Sequence, residues 1–128
     1  MARLLIVDDE KGIRDALTQV FEYEGQEVRV AEDGPDAILI AKEFQPDLVF
    51  LDVKMPGMDG EELLKRLRKK TTIPILFLTS KDEEVDELLG LKLGADDFVK
   101  KSGGFSTKVL IERIRVQLRK KNNVIDCL

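Results

Sequence analysis

The chain has 128 residues, 43% of them apolar and 36% charged, and a formal net charge of −4. That length suits one domain able to bury its own core, and the acidic balance argues against a nucleic-acid module. There is no histidine and only one cysteine, Cys127. This excludes Ser-His-Asp catalysis, His-ligated zinc and an internal disulfide.

Leu4-Leu5-Ile6-Val7 is a continuous apolar run that stops at Asp8. Short runs without alternation predict strands buried on both faces of a parallel sheet. Ile13, Ala16, Leu17, Val20 and Phe21 then follow helical spacing, and Gly25 ends that helix. A weaker strand is expected over 28–31. Pro35 suits a helix first turn, with Ala37, Ile38, Ala41 and Phe44 behind it. Leu48-Val49-Phe50-Leu51 repeats the buried-strand pattern and stops at Asp52. Asp59 or Gly60 opens a third helix carrying Leu63, Leu64 and Leu67. Ile75-Leu76-Phe77-Leu78 is the next strand, stopping at Thr79. Asp82 can cap a further helix with Val85, Leu88 and Leu89 on one face. A weak strand is expected at Asp97–Lys100. Ser106 or Thr107 can cap the last helix, with Leu110, Ile114 and Leu118 inward. From about Arg119 the chain reads as a basic helix end and a tail. Residues 1–121 are expected to form the domain and 122–128 a short C-terminal tail.

Five strands alternating with five helices predict an α/β doubly wound five-stranded parallel sheet; a flavodoxin-like order, 2-1-3-4-5, would make the first and third strands neighbours. No apolar run approaches membrane-span length, and no signal-peptide pattern opens the chain. A cytoplasmic location without membrane or direct nucleic-acid contact is expected.

In open α/β sheets, sites form outside the carboxyl ends of the strands. Here those ends carry Asp8-Asp9, then Asp52, then Thr79-Ser80, then Lys100-Lys101. A lone aspartate after a strand is ordinarily a turn residue or a helix cap. The conjunction of acids, hydroxyl and lysines on successive strands points further. If the order is 2-1-3-4-5, Asp8, Asp9 and Asp52 converge. Clustered carboxylates need a cation, and oxygen ligands without His or Cys select Mg²⁺ or Mn²⁺. One carboxylate could act as a nucleophile and become an aspartyl phosphate. A lysine and a hydroxyl would stabilise the phosphoryl oxygens.

The segments Leu4-Leu5-Ile6-Val7-Asp8-Asp9-Glu10, Asp52-Val53-Lys54-Met55-Pro56-Gly57-Met58-Asp59-Gly60 and Leu78-Thr79-Ser80 resemble the receiver domains of bacterial response regulators, the CheY-like superfamily. The resemblance runs from about Arg3 to Lys120. Gly90-Leu91-Lys92-Leu93-Gly94-Ala95-Asp96-Asp97-Phe98 resembles the OmpR/PhoB subfamily. The resemblance implies a phosphoacceptor domain of a two-component phosphorelay, phosphorylated by a sensor histidine kinase with Mg²⁺. It implies Asp52 as phosphoacceptor and Asp9 as a direct Mg²⁺ ligand, with Asp8 binding through water. The Lys54 carbonyl would be a further ligand. Thr79 would be the switch hydroxyl, Phe98 the aromatic that turns inward with it, and Lys101 the lysine at the phosphoryl group. The domain would catalyse only its own phosphorylation and dephosphorylation. A homodimer would form through the helix opened at Asp82, the last strand and the last helix, using Asp97 and Arg113. Lys92 stands where the subfamily often has an acid, and would repel Arg115.

One segment departs from the family pattern. The family's fifth strand ends in Lys-Pro-Phe with a cis bond before proline, whereas this chain reads Lys101-Ser102-Gly103-Gly104-Phe105. A cis bond before Ser102 would cost ~3 kcal/mol, so a trans bond and a looser loop are expected. Two other readings compete, the second on the same topology. A phosphatase with an Asp nucleophile needs Asp-x-Asp after the first strand, and the pair here is adjacent. A flavin mononucleotide carrier needs a hydroxyl- and glycine-rich loop there, where Asp8-Asp9-Glu10 would repel phosphate. A third, a receiver that only binds partners, has the Lys101 loop as its support.

Overall fold

The computed structural model describes residues 2–52, 60–79, 97–100 and 107–126. Its elements are β1 (Arg3–Val7), α1 (Lys11–Tyr23), β2 (Glu27–Ala31), α2 (Gly34–Phe44), β3 (Leu48–Asp52), α3 (Gly60–Arg68), β4 (Ile75–Thr79), β5 (Asp97–Lys100) and α4 (Thr107–Asp126). The helix expected after Asp82 lies outside the described residues. The five strands form one sheet in the order β2-β1-β3-β4-β5, and every neighbouring pair is parallel. The fold class is that predicted by the apolar runs, and the strand order is the flavodoxin-like one.

Strand side chains alternate between faces, and the two faces bury different partners. Leu5, Val7, Val49, Leu51, Ile75 and Phe77 pack with Ala37 of α2 and with Leu63, Leu64 and Leu67 of α3. Leu4, Ile6, Leu48, Phe50, Leu76 and Leu78 pack with Leu17 and Phe21 of α1 and with Leu110 and Ile114 of α4. The central strands β1, β3 and β4 therefore carry uninterrupted runs of four apolar residues, because both faces are covered there. The rings of Phe21 and Phe50 stack, with centroids 5.4 Å apart and planes 13° from parallel. That contact ties α1 to β3, the strand that ends in Asp52.

Helix ends follow from local chemistry. Asp33 caps α2, its Oδ1 accepting from the Asp36 N–H at 2.9 Å, and Pro35 follows in the first turn. At the end of α1, the Gly25 N–H donates to the Glu22 carbonyl at 3.0 Å and the Gln26 N–H to the Phe21 carbonyl at 2.9 Å. This double closure requires a left-handed residue, and Gly25 supplies it with φ at 86°.

Two expectations are corrected. Ala16 is exposed, while Leu17 and Phe21 carry the buried stripe of α1. Ala16 lies at the edge of that stripe, and a single methyl gains little by burial. The last helix also continues to Asp126, through residues the sequence reading leaves in a tail. No Pro or Gly interrupts 107–126, and Asn122-Asn123 only weakens a helix.

The two glycines of this region should respond oppositely to alanine. Gly12 lies in α1 with nothing within 4 Å of an added Cβ, whereas Gly25 is left-handed. Gly12→Ala should stabilise the fold by up to about 1 kcal/mol through helix propensity. Gly25→Ala should destabilise it by about 1 kcal/mol or more. Urea denaturation of both variants is the check, and shifts of the same sign would contradict the assignment.

Candidate functional site at the carboxyl edge of the sheet

Register brings the strand-end residues together. Val7 pairs with Leu51, so the next residues on β1 and β3, Asp8 and Asp52, lie side by side. Adjacent strands are ~4.8 Å apart. Asp8 is fully buried and Asp52 only 5% exposed. Asp52 pairs with Leu78 of β4, which sets Thr79 one residue beyond it. Thr79 pairs with Lys100, the last residue of β5. The backbone therefore places the ends of β1, β3, β4 and β5 along one edge. Phe98 pairs with Phe77 and Asp97 with Leu76, both further back in the sheet. Arg113 lies on α4, half-buried. Lys54, Ser80 and Lys101 fall outside the described residues.

The turn after β1 is tied down by its own backbone. The Asp8 N–H donates to the Ala31 carbonyl at 3.1 Å, extending the ladder to β2. Asp8 Oδ1 accepts from the Glu10 N–H at 2.9 Å. This local turn is what a short acidic side chain can close on its own backbone. Glu10 then stands at the N-cap of α1 in extended conformation. One carboxylate oxygen each from Asp8, Asp9 and Glu10 lies within 4.8 Å of the others. Asp9 and Glu10 are exposed, and Asp8 is not. Three acids before a helix N-terminus are favoured by its partial positive charge. That accounts for part of the cluster, but not for burial of Asp8 beside a second buried acid.

The donor set consists of carboxylate oxygens on a chain without histidine. Such a set fits a hard, oxygen-seeking cation and not a soft one. Two residues beyond the sequence-level set join the site. Glu10 contributes the third carboxylate of the cluster. Arg14 donates from Nη1 to the Asp8 carbonyl at 2.8 Å. Helical side chains lean toward the N-terminus, so a residue in the first turn reaches the loop before it. That rule, applied to Arg14, is the signal that could have found it.

A separate groove runs along the outer edge of the sheet at β2, lined by Arg3, Asp15, Thr18, Glu27, Arg29 and Phe44 among others. It includes none of the strand-end acids. Arg3 and Arg29 both lie over the Phe44 ring, at 5.8 and 5.5 Å. Of the charges lining it, Glu27 and Arg29 stand on β2, the edge strand, and charges there blunt an otherwise open sheet edge.

The chain matches the family model of the response regulator receiver domain over residues 4–115. It is similar to the BeF3-activated N-terminal receiver domain of RstA from Klebsiella pneumoniae, at 32% identity over 91% of this chain and 98% of that one, with a TM-score of 0.85. The receiver domain of the Francisella response regulator 1452 shows 33% identity over 94% and 99% of the two chains, with a TM-score of 0.85. NtrX from Brucella abortus, at 31% identity and a TM-score of 0.91, aligns with 99% of this chain but only 29% of its own.

Repulsion within the acidic cluster has a measurable consequence. Without a bound cation, Asp9→Asn should raise the thermal midpoint by a few degrees at low ionic strength, because one of the crowded like charges is gone. Added monovalent salt should shrink the gain. A midpoint that falls in the variant would show that the cluster is not repulsive as placed.

Proposed function

The chain belongs to the response regulator receiver domain family, and from that premise we propose that Asp52 is the residue that accepts the phosphoryl group. One observation carries the reading: β1 and β3 are in a register that sets buried Asp8 beside buried Asp52. Receiver domains of this family serve two-component signalling, so the donor proposed here is a sensor histidine kinase. A carboxylate oxygen of Asp52 forms the new bond to phosphorus as the bond from phosphorus to the donor nitrogen breaks. The donor imidazole leaves with the electron pair of that bond. The protein turns over no separate substrate in this reading, and catalyses only its own phosphorylation and dephosphorylation.

Mg²⁺ is the proposed cation: the oxygen-only donor set supports a hard divalent ion, and the family pattern supports Mg²⁺. Asp9 and Asp52 would hold it directly, with the Lys54 carbonyl, and Asp8 through water. When bound, Mg²⁺ neutralises charge on the acids and on the incoming phosphoryl oxygens. Asp8 anchors the turn through the Glu10 N–H and so keeps Asp9 at the mouth of the site. Thr79 is assigned the switch hydroxyl, Lys101 the cation at the phosphoryl group, and Phe98 the aromatic coupled to Thr79. Their support is the family pattern, together with the placement of Thr79 and Phe98 on β4 and β5.

The proposal extends to assembly and place. The segment 90–98 supports the OmpR/PhoB subfamily, and a phosphorylation-dependent homodimer through β5, α4 and the helix opened at Asp82, with Asp97 and Arg113 in the contact. Arg115 is already engaged within the chain by Glu112 at 3.0 Å and Glu24 at 3.9 Å, which lowers what it can give a partner. Among the described residues, no helix is long and apolar enough to cross a membrane. A cytoplasmic location fits that composition and the absence of a disulfide pair.

Acetyl phosphate with Mg²⁺ should add one phosphoryl mass to the chain, and Asp52→Asn should abolish the addition. Intact-mass spectrometry decides this, and equal labelling of the variant would remove Asp52 from the role. For the dimer, light scattering with beryllofluoride should show a mass above that of the monomer at high concentration. A constant monomer mass would reject that part of the proposal.

A further inference from the structure

We propose that Arg14 is a positioning residue for the metal site, holding the Asp8–Asp9 peptide in the orientation that presents the Asp9 carboxylate to a divalent cation. The inference rests on the Mg²⁺ reading given above and adds a residue to it. Arg14 is half-buried in the first turn of α1, and its own N–H donates to the Glu10 carbonyl at 3.1 Å. Its guanidinium returns over the turn, and Nη1 donates to the Asp8 carbonyl at 2.8 Å. That carbonyl belongs to the peptide joining Asp8 to Asp9. The peptide is planar, so anchoring its oxygen fixes the plane and the direction in which the chain leaves toward the Asp9 side chain.

The turn is held at three points, each with a different function. The Asp8 N–H joins it to β2 through Ala31. Asp8 Oδ1 closes it onto the Glu10 N–H. Arg14 clamps the one peptide between those two bonds. Asp9 is exposed, so its placement depends on this backbone and not on packing.

Sign decides between two roles for the guanidinium. As a bare positive charge it would disfavour a second cation nearby, and removing it would tighten Mg²⁺ binding. As a clamp it would favour binding, and removing it would weaken Mg²⁺ binding. Groups that orient metal ligands from outside typically change affinity by roughly tenfold or more.

The test is titration of the folded protein with MgCl₂, followed by the amide shifts of Asp9 and Glu10 in ¹⁵N-labelled wild type, Arg14→Ala and Arg14→Lys. The positioning role predicts a Kd raised by roughly tenfold in Arg14→Ala. Arg14→Lys, which keeps one donor, should fall between wild type and alanine. In acetyl phosphate labelling, Arg14→Ala should raise the half-saturating Mg²⁺ concentration while leaving the rate at saturating Mg²⁺ close to wild type. A merely structural loosening of the fold would not produce that split. Unchanged or tighter Mg²⁺ binding in Arg14→Ala overturns the proposal while leaving the metal reading intact. A wild-type protein that does not respond to Mg²⁺ overturns the metal reading, and this inference with it.

Discussion

The constraint on which the rest depends is the parallel pairing of β1 with β3. It sets Asp8 and Asp52, both buried, at the same level of the sheet. Two acids in that arrangement repel, and removing each from water is unfavourable in itself. Local hydrogen bonds fix the turn at Asp8, but they do not set its level against β3. The surrounding apolar core does, because all the strand residues behind them are committed to packing. Slipping β3 by one residue would move Asp52 away from Asp8. It would also turn Phe50 out of the layer shared with Phe21 and bring Leu51 into it. Many buried apolar contacts thus enforce the side-by-side placement of two buried acids.

The same logic explains where α1 lies. Its N-terminus follows directly on the acidic turn, and its buried stripe reaches β3 through the stacked rings of Phe21 and Phe50. The helix therefore relates the turn after β1 to the strand ending in Asp52 by a second route, independent of the sheet. Gly25 closes α1 and turns the chain toward β2, whose Ala31 carbonyl receives the Asp8 N–H. The acidic turn is held from the β2 side by the ladder and from the α1 side by the Arg14 clamp. A rigid site on an open strand edge needs such support from both directions.

Much of this was legible in the sequence because both faces of the sheet are covered. Uninterrupted runs such as Leu4-Leu5-Ile6-Val7 have few other interpretations when each is followed by a helical period. The acids at the strand ends stood out for the same reason, since each terminates an apolar run abruptly. Less legible were features set by contacts over short range. Ala16 fits the helical spacing, yet Leu17 and Phe21 fill the buried stripe and leave it outside. The end of α4 carries no breaker, so a tail and a continued helix read alike. In the sequence, Arg14 is one more charge on an amphipathic helix. Its role depends on the angle between that helix and the turn before it, which periodicity does not encode.

The division between buried and exposed acids bears on how a cation would be held. Mg²⁺ gives up its water reluctantly, and usually keeps several water ligands beside one or two carboxylates. Asp9, exposed at the mouth of the turn, can meet an ion that is still hydrated. Asp8 is fully buried and already accepts the Glu10 N–H through one oxygen, so moving it toward an ion would open the turn that positions Asp9. On the proposed Mg²⁺ reading, burial and hydrogen bonding agree with the family pattern of a direct role for Asp9 and a water-mediated one for Asp8. On that reading the fixed acid would set the local charge, and its neighbour would make the contact. An anchor that holds the peptide between them, as Arg14 does, keeps those two roles on different residues.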